Sequence, residues 1–165
     1  MLNQMGQQAR AAARRLAAAT TGDKNNALLA MAAQLQAQTD AILAANARDV
    51  ARAKENGMSQ SMLDRLSLSK DRIDGMADGI RATVKLPDHT GRIISETVHA
   101  NGMHICKKQV PLGLVAIIYE SRPNVTSDAA ALAIKSGNVC MLRSGKEAFN
   151  SCHAIVKALK KGIAA

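Results

Sequence analysis

The 165-residue chain carries 22 basic and 13 acidic residues, a net charge of +9, and is 47% hydrophobic with one Tyr, one Phe and no Trp. This is the length and balance of one globular domain with an aliphatic core, not of a disordered tail. Lys and Arg are spread along the chain without stacking aromatics, which weighs against a nucleic-acid partner and toward a site for a phosphorylated small molecule or cofactor.

Taken in order, residues 3–19 are Ala-rich with Arg10, Arg14 and Arg15 at helical spacing and predict a helix. Thr20-Thr21-Gly22-Asp23 breaks it, with Asp23 as the expected N-cap of a second helix carrying Leu28, Met31, Ala32 and Leu35 on one face. Thr39 should cap a third, whose stripe is Ile42, Leu43, Asn46, Val50 and Ala53, stopped at Gly57. Asn46 is the odd member of that stripe, and an interior amide satisfied by nearby backbone explains it better than a ligand contact. Met62 to Leu68 predicts a short helix, and Ser69 caps another from Lys70 to about Val84. After a loop from Leu86 to Gly91, Arg92–Val98 and Met103–Val110 read as strands joined by His99-Ala100-Asn101-Gly102. An isolated hairpin is marginal, so this one is expected to pack on another subunit or on further chain.

The stretch from Val110 to Lys146 organises the rest. Leu114 to Tyr119 is short, apolar and flanked by turn residues, as in a strand buried on both faces. Glu120-Ser121-Arg122-Pro123-Asn124 makes a polar corner, and Thr126 or Ser127 should cap a helix that runs through Ile134 to Gly137 and Asn138. Val139 to Leu142 is a second apolar strand, with Cys140 buried in it, and it delivers Arg143-Ser144-Gly145-Lys146 before a last helix to about Lys161. Strand, corner, helix, strand, corner is half of a doubly wound α/β sheet, in which ligands bind beyond the carboxyl ends of the strands. Two parallel strands leave an open edge, so the chain reads as the first part of something longer.

The Cys/His neighbours His104-Ile105-Cys106 and Cys152-His153 lack zinc-ligand spacing, so no metal is expected. No G-x-G-x-x-G or Walker A pattern occurs. Arg143-Ser144-Gly145-Lys146 nevertheless suits an anion, through its two cations, a glycine that lets backbone approach, and free N–H groups on the helix that follows. At the other corner, Asn124 can donate to a developing oxyanion and Arg122 can hold a carboxylate or phosphate. The alternative there is structural, with Asn124 capping the helix and Arg122 pairing with Glu120. Cysteines without framework spacing, no signal peptide and no long apolar span point to a reducing cytoplasm and away from a membrane.

Val110-Pro111-Leu112-Gly113 followed by Ile118-Tyr119-Glu120-Ser121-Arg122-Pro123-Asn124-Val125-Thr126 resembles γ-glutamyl phosphate reductase, also called glutamate-5-semialdehyde dehydrogenase, of the aldehyde dehydrogenase superfamily. Leu132–Asn138, Met141-Leu142-Arg143 with Gly145-Lys146-Glu147-Ala148, Asn46–Val50 and Met62–Leu66 are similar to the same family, in order along the chain. The resemblance implies a helical lead-in over 1–91, a β-hairpin over 92–110 that serves oligomerisation, and the opening βαβα unit of a Rossmann-like NADP-binding sheet over 111–165. It implies NADPH-dependent reduction of L-glutamyl 5-phosphate to glutamate 5-semialdehyde with release of phosphate, in proline biosynthesis, by way of a cysteine thiolate. Arg143, Ser144, Gly145 and Lys146 would bind the cofactor beside its ribose 2′-phosphate. Arg122 and Ser121 would contact substrate, and Asn124 would be the oxyanion donor, although counting back from Gly137-Asn138 puts Glu120 there. Ser144 stands where the family usually has Gly. The segment bearing the catalytic cysteine would lie beyond residue 165, making the chain inactive alone and a homo-oligomer when intact. The other reading is a truncated homologue that acts as a non-catalytic interaction module.

Overall fold

The structure, a computed structural model, describes residues 2–164. Helix α1 (Leu2–Ala17) buries only Ala9 and lies across the surface. Helix α2 (Thr21–Ala37) begins at a capping box: Asp23 N–H donates to Thr20 Oγ1 at 3.1 Å, while Thr20 N–H donates back to Asp23 Oδ2 at 2.9 Å. The N-cap is therefore Thr20, and Asp23, the expected cap, is its reciprocal partner three residues on. Thr39 likewise lies inside α3 (Thr39–Glu55), where Gln38 holds the N-cap position without a side-chain bond, and Gly57 just beyond takes φ 74°, as expected of a helix stop. Helix α4 (Gln60–Leu66) starts two residues early, and α5 (Lys70–Val84) is capped by Ser69, which accepts from Arg72 N–H.

The core is aliphatic, as the composition requires. Leu28, Met31, Leu35, Ile42, Ile73, Ile80 and Ile155 are fully buried between α2, α3, α5 and the last helix, α7 (Phe149–Ile163). Each such side chain contributes roughly 1.5–3 kcal/mol by leaving water. Helices α2 and α7 cross so closely at Gly162 that an added Cβ would stand 2.7 Å from Ala30 O and Met31 N. Among the described residues no helix is long and apolar enough to cross a membrane.

Strands β1 (Ile93–Val98) and β2 (His104–Lys108) form the expected antiparallel hairpin, with Val98 opposite His104 and every residue exposed. Strands β3 (Leu114–Ile118) and β4 (Val139–Arg143) pair in parallel, Leu114 opposite Val139 and Ile118 opposite Arg143. The expectation that β3 is buried on both faces is wrong: Ala116 is exposed and Ile118 is 81% exposed. Cys140 is half-buried rather than buried. The reason is that these two strands make up a sheet of their own: α1 and α6 (Asn124–Lys135) flank it and Cys140 of β4 packs on the helical core, but β3 has no strand on its other side among the described residues. Helix α6 itself starts earlier than predicted, at Asn124 after Pro123, so neither Thr126 nor Ser127 is its cap.

Candidate functional site

The two polar corners meet at one edge. Because β3 and β4 run parallel and in register, their carboxyl ends emerge side by side, and Tyr119 N–H donates to Arg143 O at 3.0 Å. The buried Ser121 hydroxyl donates to Glu147 Oε2 at 3.3 Å. A Cβ on Gly145 would stand 2.8 Å from that carboxylate oxygen and 3.3 Å from Ser121 Oγ. Gly145 has φ −59°, so the closeness of the corners, not the backbone conformation, favours glycine here. Glu147, which joins the corners, escaped the sequence reading because only the fold brings it to Ser121.

The turn after β4 is fastened from the amino-terminal half. Arg52 donates to Lys146 O at 2.8 Å. The fully buried Asp49 carboxylate accepts from Ser151 N–H and Ser151 Oγ, each at 2.7 Å, and from Asn150 Nδ2 at 2.7 Å. Asp49 thus caps α7 from across the fold, so the N–H groups expected to be free for an anion at its start are engaged at Asn150 and Ser151. Beside it, the Asn46 amide donates to Leu66 O at 2.9 Å and Ser151 Oγ at 3.0 Å and accepts from Leu68 N–H at 2.8 Å, the interior role its position on the stripe implied.

Arg143 and Lys146 flank the turn, both exposed and in no ion pair among the described residues. Ser144 lies between them without strain, since no non-glycine residue among those described has positive φ. A single-turn 3₁₀ helix, Lys146–Ala148, leads into α7. Behind the corner, Tyr119 OH and Thr126 Oγ1 are 2.7 Å apart. Burial pushes the Tyr119 phenol up; the Thr126 hydroxyl works against this and the neighbouring Cys152 and Cys140 add to it.

Arg122 and Asn124 face the other way from Ser121. They line a cavity of about 450 Å³ toward the α4–α5 connection, while Ser121 faces Glu147. Both structural alternatives for the pair fail. Asn124 is the first residue of α6 rather than its cap, with its amide 3.5 Å from Asp128 Oδ2, and Arg122 forms no ion pair with Glu120, which is exposed.

No protein-family model matches the chain. It is 62% identical over 145 residues to a γ-glutamyl phosphate reductase of Streptococcus suis, a match covering 88% of this chain and 35% of the relative. The crystal structure of a γ-glutamyl phosphate reductase from Thermotoga maritima superposes with a TM-score of 0.97 at 40% identity, over 99% of this chain and 39% of that one. A Bacillus subtilis structure provisionally assigned as an aldehyde dehydrogenase shares the fold, with a TM-score of 0.64 at 19% identity, over 93% of this chain and 32% of that one. The chain is similar to the amino-terminal part of these reductases and spans about a third of the length of the curated relatives it matches.

Proposed function

We propose that this chain is the nucleotide-facing portion of a γ-glutamyl phosphate reductase: an NADPH-dependent oxidoreductase of proline biosynthesis, acting in the cytoplasm as a homo-oligomer, that converts L-glutamyl 5-phosphate to glutamate 5-semialdehyde and phosphate. The observation that carries this reading is the shared edge at the carboxyl ends of β3 and β4, where two unpaired cations flank a glycine turn. That is where an open α/β sheet takes a dinucleotide. The residues present fit such a group, because Arg143 and Lys146 offer the two positive charges that a 2′-phosphate needs, and Gly145 keeps the backbone low between them. When bound, the nicotinamide supplies the hydride.

The chain's own residues position and polarise. Arg143 and Lys146 hold the nucleotide's phosphate, Gly145 and Ser144 form the floor beneath it, and Asp49 and Arg52 keep that floor in place. At the other corner Arg122 attracts the substrate anion and Asn124 turns its amide toward the carbonyl oxygen as charge develops there. Ser121 acts through Glu147, tying the substrate corner to the cofactor turn. The domain division is the lead-in over 1–91, an oligomerisation hairpin over 92–110 and the opening of the NADP-binding sheet over 111–165. The nucleophilic cysteine is supplied by sequence outside these residues, so this portion alone is inactive.

Nucleotide titration of the purified chain tests the reading. NADPH should bind more tightly than NADH, and Arg143→Ala or Lys146→Ala should each reduce that preference about tenfold, the worth of one charge-assisted contact. Equal binding of the two nucleotides by the unaltered chain would refute it. It would shift weight to a non-catalytic interaction module, for which the exposed Ala116 and Ile118 of β3 would be the docking edge.

A further inference from the structure

The cavity behind Arg122 holds an unusual charge arrangement. It opens between the α4–α5 connection and the start of α6, and its charged lining is Asp64, Arg65, Arg72, Arg122 and Asp128. Arg72 is already committed: Nη2 donates to Asp64 Oδ1 at 2.9 Å, and Nη1 donates to Ser67 O at 2.8 Å and to the Asp64 carbonyl. These bonds make Arg72 and Asp64 a braced wall with no net charge. Arg65 and Arg122, by contrast, are in no ion pair among the described residues, and the Asp128 carboxylate meets only the Asn124 amide.

What faces an incoming molecule is therefore two cations and one anion. A phosphate, carrying about two negative charges at neutral pH, would gain from the arginines but be repelled by Asp128. A carboxylate and an ammonium on the same carbon atom match both signs at once. Leu68 and Met76, also in the lining, offer apolar surface to a short methylene chain. We propose that this cavity is the subsite for the α-amino-acid end of a γ-glutamyl substrate, with Arg65 and Arg122 holding the α-carboxylate and Asp128 the α-ammonium; the proposal rests on the reductase reading above. Asn124 lines the same cavity, with its amide 3.5 Å from Asp128 Oδ2, so a molecule held there would lie within its neighbourhood. Burial already pushes the Asp128 carboxyl up, against a smaller opposing effect of Asn124, and an ammonium partner would relieve that cost.

The test is nuclear magnetic resonance of the isotopically labelled 165-residue chain titrated with L-glutamate, with glutarate, which lacks the ammonium, and with 4-aminobutyrate, which lacks the α-carboxylate. L-Glutamate should shift the Arg65, Arg122 and Asp128 signals, and each analogue should bind about tenfold more weakly or worse. Asp128→Asn should abolish the preference over glutarate, and Arg122→Gln the preference over 4-aminobutyrate. Equal responses to L-glutamate and glutarate, or shifts scattered over unrelated arginines, would overturn the assignment. NADPH titrated into the same sample separates the two readings. Nucleotide binding without an L-glutamate preference refutes the subsite alone. An L-glutamate preference without nucleotide binding refutes the dinucleotide reading and keeps the cavity as an amino-acid site.

Discussion

Lys24 shows how much a single interior charge can hold. Its ammonium is 1% exposed and lies 2.5 Å from Asp88 Oδ2 and 3.2 Å from Thr90 Oγ1, so the start of α2 is anchored to the loop before the hairpin. Burial acts to raise the Asp88 carboxyl, but Lys24, the Thr90 N–H and the Thr21 hydroxyl together bring it well below the usual carboxylate range. A carboxyl lowered by folding stabilises fully above its unfolded value, about 3.9, and that contribution is lost as pH falls through the folded value. Asp88→Ala, which strands the ammonium, should cost about 3–5 kcal/mol in urea unfolding at pH 7. The gap between variant and unaltered chain should narrow as the pH is lowered below about 4. Neither Lys24 nor Asp88 stood out in the sequence, because a lysine on an amphipathic helix looks solvated until its partner, 64 positions away, is known. Asn46 was legible for the opposite reason: a polar residue on an apolar stripe advertises its own burial.

Among the elements, α7 depends most on a residue outside itself. Ala148 at its N-cap offers no side-chain bond, and Asp49 of α3 takes that role. Asp49→Ala should destabilise the chain by about 3 kcal/mol, the upper range for a hydrogen bond to a charged group, and lower the midpoint of thermal unfolding by roughly 6–12 °C. The same variant should weaken NADPH binding, since the turn it frees is the one carrying Lys146. Element types were readable almost throughout, from the Ser69 cap of α5 to the Asn101-Gly102 hairpin. Starts were less so. Thr20 and Asp23 are both good caps, and only their mutual hydrogen bonds show that the first closes the helix and the second answers it. At α6, Thr126 and Ser127 have cap chemistry, but the fold uses one hydroxyl on Tyr119 and the other on Asn124 O. The bridge between the polar corners was unreadable for a similar reason, since Ser121 and Glu147 stand 26 positions apart.

At the scale of the molecule, stability is uneven. The α2–α5–α7 core contains side chains with no solvent exposure, whereas β1 and β2 pair only with each other and bury nothing. Amide hydrogen exchange should therefore show strong protection at Leu28, Ile80 and Ile155 and rapid exchange throughout 93–108, because opening the hairpin breaks no core contact. Protection in the hairpin equal to that of the core would show that it is covered in solution. The predicted burial of β3 failed at this same scale: local composition describes a strand covered on both faces, whereas the two-stranded sheet with its flanking α1 and α6 leaves Ile118 bare.

The long-range ties have a further consequence for how the chain comes into being. Asn46 and Asp49 find their partner in Ser151, and Asn25 finds its partner in Lys135, 110 positions later. A ribosome releases the early helices first, and although α2 can pack on α5, the faces of α2 and α3 that meet α7 stay open until residues 149–163 have emerged. Newly made α2 and α3 are thus the stretch on which chaperones would be found during synthesis, and their clients should be released only once the segment around Gly162 has emerged.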